Sequence, residues 1–155
     1  MEAREWRTVD KSSWGDGPWA SEPDKAQWKD AETGLPCLIV RNRMGALCGY
    51  VGVPTTHRLY GKEYEHADVV VHGGLTFSEA CQHGENEGTG ICHIPGKGEP
   101  DTVWWFGFDC AHGFDVMPAY SAKWGGDCWP GSQYRDVGYV RGEIASLARQ
   151  LAALA

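Results

Sequence analysis

Apolar positions recur at different periods along this chain, and each period predicts a different element. Val140, Ile144, Leu147, Ala148 and Leu151 follow the 3.6-residue spacing of one helix face, behind an Asp136 suited to cap it. Such a helix has one apolar stripe and is expected to pack on one side of a sheet. Residues 36–54 read instead as a hairpin. Cys37-Leu38-Ile39-Val40 and Leu47-Cys48-Gly49-Tyr50-Val51-Gly52-Val53 are β-type runs. They flank Asn42-Arg43-Met44-Gly45, a tight turn with glycine for positive φ.

Weaker signals predict the other elements. Ser21-Glu22-Pro23-Asp24 has capping-box spacing and a first-turn proline, so a short helix is expected from there to about Asp30. Asp68-Val69-Val70-Val71 reads as a third strand ending in His72-Gly73-Gly74, and residues 77–81 as one helical turn. Val103-Trp104-Trp105-Phe106-Gly107-Phe108 reads as the fourth and most central strand, with Trp104 and Trp105 on opposite faces. Residues 1–20 form an extended arm pinned by its tryptophans; 54–66, 82–100 and 113–133 are loops. The expected fold is α+β in one domain spanning 1–155. It comprises an antiparallel sheet of about four strands, a C-terminal helix on one face and large Gly- and Trp-rich loops.

Composition narrows the functional classes. A formal net charge of −7 disfavours a phosphate-tracking surface, so no direct nucleic-acid contact is expected. No apolar stretch approaches the roughly 20 residues of a membrane span. Met1-Glu2-Ala3-Arg4-Glu5-Trp6 lacks a basic-then-apolar leader pattern, which makes the cytoplasm the expected location. In that compartment the six cysteines (Cys37, Cys48, Cys81, Cys92, Cys110 and Cys128) are expected as free thiols, with a Cys37–Cys48 bridge across the hairpin as the alternative. Eight Trp and 21 Gly point to aromatic-walled concavities between loops.

Candidate chemistry gathers at the strand ends. The 103–112 run delivers Asp109, Cys110 and His112 directly after a buried strand. In an extended chain Cys110 and His112 share a face, the minimum for an activated thiol. With no helix N-terminus or nucleophile elbow beneath Cys110, a packed thiol is the stronger reading. His72-Gly73-Gly74 supplies a hydrogen-bonding side chain and backbone amides able to approach a ligand closely. Tyr50 could stack on a planar group, and His57 lies in the adjoining loop. Zinc is a looser option: Cys81-x-His83 and Cys92-His93 offer donors, without the paired spacing of structural sites. No cofactor is expected; if zinc binds, Cys81, His83, Cys92 and His93 are its ligands.

Thr33-Gly34-Leu35-Pro36-Cys37-Leu38, the 47–53 run, Val71-His72-Gly73-Gly74-Leu75-Thr76, Ile91-Cys92-His93 and the 104–112 run together resemble small accessory proteins of phages and prophages, over roughly Gly17 to Leu151. The resemblance implies a context, a phage accessory protein in the host cytosol of the kind that often acts against host defence, and carries over no activity or site residue. The expected function is therefore binding of a small, nucleotide-like ligand or a host defence protein. Tyr50, His57, His72, Gly73, Gly74, Asp109 and His112 would line the site. A hydrolase or transferase using His72, Asp109, Cys110 or His112, zinc-assisted or not, is the alternative. An acidic inhibitor mimicking nucleic acid is the third, weakened by the scatter of its carboxylates.

Overall fold

The computed structural model describes residues 1–127 and 129–155; Cys128, counted above among the thiols, lies outside them. Six strands form one open, wholly antiparallel sheet: β1 Arg4–Trp6, β2 Lys25–Lys29, β3 Pro36–Arg41, β4 Leu47–Pro54, β5 Phe77–Ala80 and β6 Val103–Asp109. Their order is β1-β2-β3-β4-β6-β5. The helices are α1, Pro118–Trp124, and α2, Val137–Ala153. The architecture is α+β, with six strands where about four were expected.

The hairpin and the last helix form as their patterns dictate. Gly45 closes the turn at φ 86°, with Asn42 N donating to Ala46 O at 2.8 Å. Asp136 caps α2 by accepting from Tyr139 N at 2.8 Å. Val140, Ile144, Leu147, Ala148 and Leu151 are its buried residues. They pack on Ile39, Val51, Phe106 and Phe108 of the sheet, each large aliphatic side chain contributing on the order of 2 kcal/mol. The alternate residues Leu38, Val40, Tyr50 and Trp105 face the other way, into a second cluster with Phe77, Cys81 and Ile91. With both faces covered, β3 is apolar from Pro36 to Val40, and its last residue, Arg41, is paired with the buried Asp24 carboxylate.

The expected helix at 21–30 is instead mostly β2. A helix of that length has little stability of its own, and here Asp24 serves other partners. Its carboxylate accepts from Thr8 N, Val9 N, Lys11 Nζ and Arg41 Nε at 2.8–3.0 Å. On β2, Ala26 faces the core under α2, while Lys25 and Gln27 point into the loop after β5. Lys25 Nζ donates to Glu87 O and Cys92 O at 2.5 and 2.8 Å. Gln27 exchanges hydrogen bonds with Ile94 through Nε2 and Oε1 at 3.2 and 2.8 Å. Polar strand residues thus satisfy backbone groups of a loop whose Cys92–His93 segment is buried.

Residues 68–71 are not a strand. They have no strand beside them, and Gln150 of α2 satisfies the Val70 amide and carbonyl at 2.7 and 2.8 Å. The segment expected as a helical turn, 77–81, supplies β5 instead, pairing Phe77 with Gly107 and Ala80 with Trp104. β6 consequently lies second from an edge, and β3 and β4 occupy the middle. Trp104 and Trp105 do face opposite clusters. The N-terminal arm supplies edge strand β1, and its tryptophans hold it: Trp6 under Lys25 Nζ at 5.1 Å, Trp14 beside Arg41 at 6.0 Å, Trp19 edge-on to Tyr134 at 5.1 Å.

Among the described cysteines, Cys81 and Cys92 form a disulfide, contrary to the expectation of free thiols throughout. The isolated Gln82–Ile91 bridge brings the two chain segments together just inside that pair. Cys37, Cys48 and Cys110 are free and buried. A Cys37–Cys48 bridge is ruled out by register: Cys37 opposes Val51 and Cys48 opposes Val40, with the two thiols on opposite faces. Among the described residues, no helix is long and apolar enough to cross a membrane.

Candidate active site

The strand end of β6 and the turn at residues 72–74 meet over a single carboxylate. Asp115, 1% exposed, follows β6 by six residues on the loop that leads to α1. Its Oδ2 accepts from His72 Nε2 at 2.9 Å, from the His112 amide at 3.1 Å and from His112 Nδ1 at 3.1 Å. Its Oδ1 accepts from Arg135 Nε at 2.9 Å. Burial works to raise the Asp115 carboxyl. The bonds from His72, the His112 amide and Arg135 outweigh it and hold the group below the usual carboxylate value.

Each ring is thereby given a defined orientation. With Nδ1–H directed at Asp115, the lone pair of His112 lies on Nε2, and the side chain is 35% exposed. Nε2 stands 3.8 Å from Asp109 Oδ1, and Asp109 Oδ2 accepts from Thr76 Oγ1 at 3.0 Å. His72 sits deeper. Its Nδ1 meets the Tyr139 hydroxyl at 2.8 Å, and that hydroxyl also reaches Glu143 Oε1 at 3.1 Å. The single Tyr139 proton therefore has two acceptors, a short relay from the helix surface to Asp115. Gly73, at φ 65°, lies directly against the His112 ring, where any side chain would overlap it.

Beside this cluster a groove of about 390 Å³ opens over the end of the hairpin, lined by Asp109, Thr76, Asn42, Met44 and Tyr50 among others. Tyr50 has no free face for stacking. Its ring is edge-on to Phe77 at 5.4 Å and covers Gly107, and burial pushes its hydroxyl well above the usual value. Phe114 and Trp129 are accessible instead, near-parallel at 6.4 Å and 71% and 57% exposed. Phe114 belongs to the same short loop as His112 and Asp115.

Of the residues singled out in the sequence, His72, Gly73, Asp109 and His112 converge. Gly74 follows at φ 80° with nothing packed on it. His57 is elsewhere: Nε2 donates to Leu151 O at 2.8 Å and Nδ1 accepts from Leu59 N at 3.1 Å. Leu151 lies twelve residues beyond Tyr139 on α2, about 18 Å along the axis. Cys110 faces the core, and burial raises its thiol far from thiolate range. Asp115 joins them, one of several carboxylates (with Glu22, Asp24, Glu99, Asp101 and Asp109) that the sequence offers for acid/base work but cannot place, and Arg135, Tyr139 and Thr76 are the additions. Tyr134-Arg135-Asp136, just ahead of the helix stripe, is the sequence signal for one of them.

His72, His112 and Asp115 each offer a ligand atom within 4.8 Å of the others, a spacing that fits a cation. The Asp115 oxygens, however, already take four N–H donors, one from a guanidinium, and that leaves little negative charge for a metal. The second such group, Cys81, Cys92 and His93, lies on the other face of the sheet; Cys92 and His93 line a cleft that His83 also lines.

A scan against protein-family models and searches of curated proteins and of solved structures found no match to this chain.

Proposed function

We propose that this chain takes a small polar ligand into the groove beside Asp109 and that His112, oriented by Asp115, exchanges a proton with it, as in a hydrolase or transferase. The observation that carries this reading is the His112 ring, with Nδ1 on a buried carboxylate and Nε2 3.8 Å from Asp109, which lines the groove. A carboxylate behind a histidine fixes its tautomer and stabilises the imidazolium formed when Nε2 takes a proton. Asp109 and Thr76 would position the hydroxyl or water that loses it. Phe114 and Trp129 would cover a planar portion of the ligand, such as a nucleobase. In the same proposal this activity is directed at a nucleotide-like molecule in a host cytosol, in keeping with the resemblance to phage accessory proteins.

The test screens nucleotides and cyclic nucleotides by thermal shift, then follows any binder by mass spectrometry. A ligand raises the melting point by mass action. The expected result is a shift in wild type, product formation, and a loss of turnover of about 100-fold or more in His112→Ala with binding kept. Binding without turnover would replace the reaction by sequestration. No shift across the panel would overturn the nucleotide-like assignment.

A further inference from the structure

We propose that Cys81, Cys92 and His93 form a zinc site when the Cys81–Cys92 disulfide is reduced, so that one redox event decides whether the chain carries metal. The two sulfurs and a ring nitrogen of His93 lie within 4.8 Å of one another. His93 is 6% exposed, and its Nδ1 is the one buried side-chain polar atom without a partner among the described residues. An orphaned buried nitrogen calls for an explanation, and a metal supplies it. Trp105 adds two contacts: its ring is edge-on to His93 at 5.5 Å and its Nε1–H donates to Cys81 Sγ at 3.5 Å. An N–H donor on sulfur favours the thiolate that zinc requires. The cleft of about 320 Å³ that Cys92 and His93 line is also lined by His83, which leaves a fourth position for that imidazole or for water.

The chemistry balances in two steps. A dithiol reductant delivers two electrons and two protons to the S–S bond, giving two thiols as the reductant closes its own disulfide. Zinc then displaces both thiol protons to water and binds two thiolates and the imidazole, with no further electron transfer. The sulfurs must part to about 3.8 Å for tetrahedral Zn–S bonds. Cys92 lies on the loop that follows β5, and Cys81 directly follows that strand.

The experiment loads oxidised and phosphine-reduced protein with zinc, removes excess, and measures bound metal, with cobalt(II) in place of zinc to display thiolate charge-transfer absorption. Reduced wild type is expected to retain about one metal per chain and oxidised protein none. His93→Ala keeps the disulfide and hence the fold, and is expected to weaken zinc binding at least tenfold once reduced. Cys81→Ser, checked for folding by circular dichroism, is expected to abolish it, while Cys110→Ala leaves it intact. Metal retained equally by oxidised protein, unaffected by His93→Ala, or absent from folded reduced protein would overturn the proposal.

Discussion

The His112 imidazole occupies the space that a side chain on Gly73 would need, and the site's geometry depends on the absence of a side chain at residue 73. Gly73→Ala would place a methyl into the ring and impose a left-handed backbone conformation, which alone costs roughly 1 kcal/mol. The expected outcome is a lower melting temperature with the sheet intact. Displacement of His112 from Asp115 should also appear as a changed pattern of imidazole nitrogen-15 shifts. An unchanged pattern would show that the ring does not need this glycine.

Asp115 couples stability to acid. Its carboxyl is depressed in the folded chain, so protons bind the unfolded chain first. Its contribution is present above the unfolded value of about 4 and is lost as pH falls through the folded value. Asp115→Asn keeps the shape but leaves Arg135 and two imidazoles without their anion. It should lower stability by about 3 kcal/mol at neutral pH. Urea titrations of both proteins should converge as the pH drops below 4; a constant gap would refute the linkage.

The alkaline side carries opposing contributions. Burial lowers Lys25 to about 8, against a small opposing effect of Glu87, so the unfolded chain holds this proton more tightly. Stability therefore gains about 1.4 kcal/mol per pH unit from Lys25 between about 8 and 10. Burial pushes Cys37 and Cys48 up to about 12 and raises Cys110 as well, from an ordinary 9.0. These three groups stabilise fully below 9 and lose that contribution above it, for a net loss of about 3 kcal/mol per unit. The stability curve should rise gently from pH 8 to 9 and then fall steeply. In Lys25→Met the rise should vanish and the fall persist, as read by chemical unfolding across that range.

What could be read from the sequence was what depends on local spacing. The stripe from Val140 to Leu151 and the turn at Asn42 to Gly45 are self-contained, and both formed as the pattern demands. β2 was illegible because Lys25 and Gln27, the residues that look helical and polar, serve carbonyls and an amide more than sixty positions away. The Val69-Val70-Val71 run has strand propensity but no neighbour to pair with, while Phe77-Ser78-Glu79-Ala80 has weak propensity and the open edge of β6. Pairing decided both. At the site, His72, Asp109 and His112 stood out because they end apolar runs at glycine-rich turns. Asp115 and Arg135 did not, since only the fold brings residue 135 back across twenty positions to a carboxylate 43 residues from His72.

The order β1-β2-β3-β4-β6-β5 also governs how this sheet meets other chains. Its two outermost strands are its shortest, three and four residues long. β1 carries the exposed charges of Arg4 and Glu5, and β5 runs at once into a cross-linked cysteine. Unpaired backbone on a long, flat border is what recruits a foreign strand and seeds aggregation. Here either border offers only a few free amides and carbonyls, so the long apolar runs of β3, β4 and β6 stay internal to the sheet.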